Sequence, residues 1–171
     1  MEKIKLILVG CGFRGAGLIK IISGIPDYNI VAVCDAYKDK AEKVATWLKE
    51  KGVDCSVYTD YKDAFEQEKP DAVLISASWE AHIEIAVYAM SNRIAVAMEV
   101  GGAYCEEDCR LLVETYEKTK TPFMFMENCC FNSDELLVTN SFRKIYKKRR
   151  FGGNAGFYKR EIQASSSKRC Y

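Results

Sequence analysis

The stretch "LILVGCGFRGAGL", residues 6–18, decides the fold. An aliphatic run ends at Gly10, two further glycines follow at Gly12 and Gly15, and helix-forming residues then begin. In the spacing G-x-G-x-x-G, the first glycine permits a tight turn and the second lets a pyrophosphate approach the backbone. The third lets the following helix pack closely on the strand. The stretch therefore predicts a strand, a phosphate-binding turn and a helix, with a purely structural bend as the alternative.

The rest of the chain alternates short apolar runs with amphipathic stretches. Six runs are continuously apolar, which indicates strands buried on both faces of a parallel sheet. The alternation predicts the α/β class: a doubly wound parallel sheet (Rossmann fold) of about six strands with helices on both faces. The predicted strands lie within residues 4–9, 29–34, 53–60, 71–77, 93–99 and 122–127. The predicted helices cover residues 14–23, 38–51, 61–68, 79–91 and 105–119, and a last one starts near Asn132 or Ser133.

An acidic residue follows the second predicted strand at the distance that a dinucleotide site requires. Asp35 lies twenty residues beyond Gly15, where a carboxylate accepts hydrogen bonds from the adenosine ribose. The same carboxylate would repel the 2′-phosphate of NADP, and the next two residues supply no arginine, although Lys38 offers partial compensation. The pattern favours NAD over NADP. A structural turn with a surface aspartate is the alternative.

Polar side chains also follow three later strands, at the edge where open α/β sheets bind ligands. Residues 76–82 follow the fourth predicted strand, residues 99–102 the fifth, and Glu127 with Asn128 the sixth. His82 is the single histidine of the chain and is a candidate for cofactor contact or catalysis, although a lone histidine is more often structural. Trp79 is a candidate wall of the nicotinamide pocket, with ordinary packing as the alternative.

Charge is divided unevenly along the 171 residues. The whole chain carries +1, whereas residues 143–171 alone carry +9 and residues 1–142 carry −8. We therefore expect a dinucleotide-binding domain over residues 1–142 and a basic, solvated and disordered tail over residues 143–171. A nucleic-acid-binding tail and a loss of reading frame near residues 140–143, which would leave a truncated domain, are the alternatives.

Composition excludes several classes of protein. The apolar content of 49% and charged content of 29% are typical of a soluble globular domain. No run approaches the roughly 18 apolar residues of a membrane span, and the N-terminus shows no signal-peptide cleavage site. We therefore expect a cytoplasmic protein without membrane contact. The eight cysteines show no C-x-x-C pair, so we expect reduced, mostly buried thiols rather than a zinc site.

Five stretches together resemble the N-terminal half of one oxidoreductase family. The stretches are "ILVGCGFRG", "VAVCDA", "SASWEAHIEIAVYAM", "VAMEVGGAY" and "MFMENCCFNSDELLV". They occur in the order found in the glucose–fructose oxidoreductase and inositol dehydrogenase (Gfo/Idh/MocA) family, and the resemblance covers about residues 3–140. The cofactor-binding residues expected on this basis are Gly10, Cys11, Gly12, Phe13, Arg14, Gly15, Asp35, Ser76, Trp79, His82, Glu99 and Asn128, with Phe131 matching an aromatic that follows the family's asparagine.

Two departures from the family's motifs bear on chemistry. The family's T-P-x-x-x-H corresponds to residues 77–82, which keep His82 but lack the threonine and proline. Its E-K-P corresponds to residues 99–101, which keep Glu99 but have Val100 in place of a lysine that often assists catalysis. His82 and Glu99 are thus the catalytic candidates. The E-V pair is also similar to the branch that includes NAD-dependent α-N-acetylgalactosaminidases.

The resemblance implies an oxidoreductase that exchanges a hydride between its nicotinamide cofactor and a sugar or polyol. A glycosidase that uses the hydride transiently, and a non-catalytic NAD-binding fragment, are the alternatives. Family members continue into a second α/β domain that supplies most of the substrate pocket and usually the oligomer interface. Residues 143–171 do not resemble that domain, so we expect the chain alone to be inactive. The substrate and the oligomeric state stay open.

Overall fold

The computed structural model describes residues 2–129 and 132–148. Strands and helices alternate along the chain from the first strand to the sixth helix. The strands are β1 (Ile4–Val9), β2 (Tyr28–Cys34), β3 (Ser56–Tyr58), β4 (Ala72–Ile75), β5 (Ala95–Met98) and β6 (Phe123–Phe125). The helices are α1 (Phe13–Ile22), α2 (Lys38–Glu50), α3 (Tyr61–Glu68), α4 (Trp79–Ser91), α5 (Glu106–Thr119) and α6 (Ser133–Lys148).

The six strands form one parallel sheet in the order β3-β2-β1-β4-β5-β6. The chain winds outward from β1 to β3, then returns to the other side of β1 and continues through β4, β5 and β6. The reversal lies between β1 and β4, and a doubly wound sheet binds its ligand in the crevice at that point. The predicted α/β class, with helices on both faces, is confirmed.

Alternate residues of the central strands feed two cores. Ile7 and Val9 pack on one face with apolar residues of α3, α4 and α5. Leu6 and Leu8 pack on the other face with residues of α1 and α2, among them Ile19 and Leu48. Because neighbouring side chains of a strand point to opposite faces, a strand covered by helices on both sides must be apolar throughout.

The third strand is short and lies within the predicted residues 53–60. Only Ser56–Tyr58 pairs with β2. The carbonyl of Leu48, near the end of α2, accepts the backbone N–H of Lys51 at 2.9 Å and that of Val53 at 3.0 Å. These bonds close the last turn of the helix, so the chain reaches the sheet late, at its edge.

Backbone contacts divide the chain into two compact units, Met1–Met126 and Glu127–Tyr171. The first unit contains the whole sheet and α1 to α5. The second contains α6, which begins where the backbone N–H of Leu136 donates to the carbonyl of Asn132 at 3.0 Å. The helix ends at Lys148, six residues beyond the predicted domain boundary at residue 142. That boundary and the disordered tail stay predictions, and residues 149–171 lie outside the described part.

The cysteines differ in one respect from the expectation of mostly buried thiols. Among the described cysteines, Cys11 and Cys34 are buried, whereas Cys105 and Cys129 are exposed. Cys105 precedes α5 rather than lying inside it, which leaves its side chain in solvent. Within the described residues, no group of three or more potential metal-ligating side chains comes together. No helix in residues 2–129 or 132–148 combines the length and apolarity needed to cross a membrane.

Candidate functional site

Gly10, in the turn after β1, and Gly15, in the first turn of α1, have no room for a side chain. Gly10 has φ +98°, and a Cβ there would lie 2.3 Å from the backbone of Ser76 at the end of β4. A Cβ on Gly15 would lie 1.9 Å from the carbonyl oxygen of Gly10. Real side-chain carbons never come so close to backbone atoms, so the turn packs against β4 and α1 packs against the turn only because both residues are glycine.

Gly12 is different, because no described residue fills the space beside it. A Cβ on Gly12 would meet no atom of the described residues within 4 Å, and its φ of −66° is ordinary. Gly12 is the N-cap of α1 and therefore brings no capping side chain, and the first turn of the helix contains no acidic residue. The backbone N–H groups at this end are thus uncapped by side chains and favour an anion. The open space and the uncapped N–H groups together have the character of an anion-binding site.

Cys11 and Phe13 occupy opposite environments in the same turn. The thiol of Cys11 is buried and donates weakly to the carbonyl of Cys34, with Sγ and O 3.6 Å apart. Burial, followed by the nearby Asp35 carboxylate, raises the pKa of this thiol to about 12, so it stays protonated and inert at neutral pH. The side chain of Phe13 is fully exposed. The turn thus offers a ligand backbone groups and an apolar ring, not a reactive thiol.

Asp35 connects the end of β2 to the glycine turn. Its Oδ2 accepts the backbone N–H of Cys11 at 2.7 Å, and its Oδ1 accepts the N–H of Tyr37 at 2.9 Å. Each carboxylate oxygen has a second lone pair, so both can still accept a ribose hydroxyl. Lys38, the cation that might offset the aspartate, forms an ion pair with Glu42 at 3.3 Å on α2.

His82 is buried and is not exposed in the crevice. Its ring is 1% exposed and its Nε2 lies 3.1 Å from the carbonyl oxygen of Ala77. Because a carbonyl can only accept, Nε2 carries the proton and donates. Nδ1 has no hydrogen-bond partner within the described residues. The side chain therefore fixes the loop that contains Ser76, which the turn at Gly10 contacts.

Two glycines after β5 pack on the start of α4. Gly101 and Gly102 have φ of +92° and +100°. A Cβ on Gly101 would lie 2.8 Å from the ring of Trp79, and one on Gly102 would lie 2.5 Å from Cβ of His82. Trp79 keeps 58% of its surface exposed. The loops after β4 and β5 are thereby held together, with the indole ring at their surface.

An ion pair joins the glycine turn to the loop after β5. Nε of Arg14, in the first turn of α1, lies 2.7 Å from Oε1 of Glu99, the first residue after β5. The Glu99 side chain is 13% exposed and that of Arg14 is 50% exposed. The sequence placed both residues near a cofactor but gave no signal that they would pair, because they lie 85 positions apart.

The remaining predicted residue lies in the other unit. Asn128 is exposed and belongs to the unit that begins at Glu127. Its place beside the nicotinamide stays a prediction. Cys130 and Phe131, which follow it in the family-like motif, lie outside the described residues.

A groove of about 430 Å³ opens elsewhere on the first unit and had no sequence signal. It runs along α3, α4 and α5 and reaches the loop after β5 at Gly102 and Tyr104. Its lining contains neither the glycine turn nor Asp35, so the groove is separate from the crevice at the end of β1.

In this parallel sheet, β1 leads through a glycine turn into a helix without a capping side chain, and an acidic residue follows β2. These features define a dinucleotide-binding Rossmann domain. The sequence model of the Gfo/Idh/MocA oxidoreductase family, described as an NAD-binding Rossmann fold, matches residues 4–126. The chain belongs to this family, as its resemblance implied.

The chain is similar to one curated protein and two solved structures. A glycosyl hydrolase family 109 protein of Porphyromonas gingivalis is 32% identical over 145 residues, which are 82% of this chain and 31% of that protein. An oxidoreductase of Agrobacterium radiobacter, solved with NAD+, L-tartaric acid and magnesium, superposes with a TM-score of 0.73 at 21% identity. That match covers 83% of this chain and 40% of the other.

A putative myo-inositol dehydrogenase of Sinorhizobium meliloti superposes with a TM-score of 0.70 at 26% identity, covering 83% of this chain and 41% of the other. The chain spans about a third of the length of the curated relatives it matches. Their similarity therefore concerns the nucleotide-binding part.

Proposed function

We propose that this chain binds NAD along the carboxyl edge of its sheet. The adenosine ribose lies at Asp35, the pyrophosphate at the uncapped start of α1, and the nicotinamide at the loops after β4 and β5. The observation that carries the proposal is the open space at Gly12, one strand away from an acceptor at Asp35 on the same edge. The dinucleotide-binding residues of such sheets occupy these positions.

The remaining residues have supporting roles in this proposal. Gly10 and Gly15 shape the turn, Cys11 contributes its backbone, and Phe13 covers the pyrophosphate. Ser76, Trp79 and Glu99 border the nicotinamide. Arg14 holds Glu99 and His82 holds the loop after β4, so both act through their neighbours.

Asp35 supports NAD rather than NADP as the cofactor. A ribose hydroxyl can donate to its carboxylate, whereas a 2′-phosphate would bring like charges together. The nearest basic side chains after Asp35 already interact with other groups: Lys38 pairs with Glu42, and Nζ of Lys40 lies 4.3 Å from the ring centroid of Tyr37.

In the complete enzyme we infer hydride exchange with a sugar or polyol. The bound nicotinamide supplies the hydride acceptor, and the protein supplies binding and orientation. Oxidation of an alcohol also needs a base for the hydroxyl proton. Val100 has no group for this step, Glu99 is held by Arg14, and His82 is buried. We therefore expect the base to come from residues outside the sheet domain, and the chain alone to be inactive.

A redox-neutral glycosidase is the second candidate, and the family 109 glycosyl hydrolases among the relatives favour it. In such a reaction NAD+ would accept a hydride from the sugar and the NADH formed would return it to the sugar after the glycosidic bond has broken, so no NADH would accumulate. The valine at position 100, in place of a proton-transferring lysine, is compatible with this chemistry.

Calorimetric titration of the purified chain with NAD+ and with NADP+ tests the proposal. We expect saturable binding of NAD+, with weaker binding of NADP+. Absence of heat from either cofactor would remove the proposal, whereas tighter binding of NADP+ would reverse only the role of Asp35. Incubation with NAD+ and myo-inositol, or with a nitrophenyl α-N-acetylgalactosaminide, then separates the catalytic candidates. NADH formation supports a dehydrogenase, nitrophenol release without NADH supports a glycosidase, and neither supports an inactive chain.

A further inference from the structure

The ion pair between Arg14 and Glu99 spans the part of the crevice where the nicotinamide is proposed to lie. Arg14 belongs to the helix after β1, and Glu99 is the first residue after β5. Strand β4 lies between these two strands in the sheet. The pair, with Nε and Oε1 2.7 Å apart, therefore reaches across the carboxyl end of β4.

The position of Arg14 is not explained by the stability of α1. A cation in the first turn faces the positive end of the helix dipole and is unfavourable there. The pair is half exposed on the arginine side, and such exposed pairs contribute little to folding stability. A carboxylate that is 13% exposed nevertheless needs a compensating charge in its crevice, and Arg14 supplies it.

That compensation matters because the two redox forms of the cofactor differ in charge at the ring. The nicotinamide of NAD+ carries one positive charge, whereas the dihydronicotinamide of NADH is neutral, and the phosphates and adenosine of the two forms are identical. An uncompensated carboxylate at Glu99 would attract the oxidised ring alone. The arginine at 2.7 Å cancels most of this attraction.

We propose that Arg14 is a charge-compensating positioning residue that sets the relative affinity of the site for NAD+ and NADH. The inference rests on the proposed cofactor site and deepens it. Arg14 acts through Glu99, and it changes the balance between the two forms because the compensated charge acts on the cationic ring of NAD+ and not on the neutral ring of NADH.

The test compares dissociation constants for NAD+ and NADH in four forms of the full chain: wild type, Arg14→Met, Glu99→Gln and the double variant. In Arg14→Met the unmasked carboxylate should shift the affinity ratio toward NAD+ by about three- to tenfold, the range expected for a unit charge near the ring in a largely solvated crevice. In Glu99→Gln the unmasked guanidinium should shift the ratio toward NADH by a similar factor. The double variant, again neutral, should return within about twofold of the wild-type ratio.

Two further variants separate charge from structure. Arg14→Lys keeps the positive charge and should keep the ratio near that of the wild type. Lys43→Met removes the same charge and breaks an exposed ion pair with Asp39 on α2, and should leave the ratio unchanged. These comparisons use ratios at one pH and one salt concentration, so a general loss of affinity cancels.

Each result decides the inference. Equal weakening of both forms in Arg14→Met would mean that the guanidinium binds the pyrophosphate instead, and would overturn it. An unchanged ratio in both single variants would overturn it as well. If wild-type protein binds neither form, the proposed cofactor site itself is wrong, a result that the ratio experiment distinguishes at its first step.

Discussion

The glycine turn at residues 10–15 and the paired loops after β4 and β5 are held in place by different means. The turn is shaped by backbone atoms: Gly10 and Gly15 allow contacts that any side chain would prevent, and Asp35 ties it to β2. The loops are held by side chains, through His82 and Trp79 packed on the second glycine pair. A sequence motif therefore identifies the first region, whereas the second depends on side-chain contacts that no sequence motif predicts.

Gly15→Ala should produce the largest effect, because the new Cβ would lie 1.9 Å from the carbonyl oxygen of Gly10. Overlap with backbone cannot be relieved by a rotamer change, so we expect a loss of about 3 kcal/mol in the free energy of unfolding. Urea titration followed by tryptophan fluorescence measures it.

Gly17→Ala is the matched control in the same helix. Gly17 is exposed and a Cβ there meets nothing within 4 Å, so alanine should stabilise the helix by about 0.5–1 kcal/mol. Equal stabilities of the two variants would show that the turn does not have the tight packing described.

Asp35→Asn should have the next largest effect, on the choice of cofactor. The amide keeps one acceptor but removes the charge that repels a 2′-phosphate, so the preference for NAD+ over NADP+ should fall about tenfold. Calorimetry with both cofactors measures the ratio. Asp39→Asn, which removes the same charge from an exposed position on α2, should leave it unchanged; a shift of similar size there would assign the preference to net charge alone.

His82→Leu tests the side-chain connection between the loops and should have the smallest effect. It leaves the carbonyl of Ala77 without its donor, which should lower the free energy of unfolding by about 1 kcal/mol. His82→Gln can place an N–H near the position of Nε2 and should recover part of that loss. Chemical unfolding of the two variants compares them, and identical losses would mean that the hydrogen bond contributes nothing beyond packing.

Most of the sheet was predictable because its physics is local in the sequence. Continuous apolar runs mark strands covered on both faces, and helical spacing marks the helices between them, so β1 and α4 were located at residues 4–9 and 79–91 as the structure has them. The pattern located the short β3 only to within residues 53–60, since it did not show that Val53 completes the end of α2.

The site was predictable only where backbone geometry dictates the residue type. The three glycines and Asp35 follow from the needs of a turn, a close approach and a ribose acceptor. The ion pair between Arg14 and Glu99 could not be predicted in this way, because the two residues lie 85 positions apart and are brought together only by the folded sheet. The buried setting of His82 likewise depends on Gly102, whose role appears only when α4 packs beside it.

The open space at Gly12 is the proposed site of the cofactor's pyrophosphate. Calorimetric titration of NAD+ into wild type and Gly12→Ala tests this placement most directly, because the residue has an ordinary φ of −66° and the new Cβ meets no atom of the described residues. We predict unchanged unfolding stability and NAD+ affinity at least about tenfold weaker, since the methyl group would occupy the phosphate's approach. Equal affinity of the two proteins for NAD+, or no binding by either, would contradict the account.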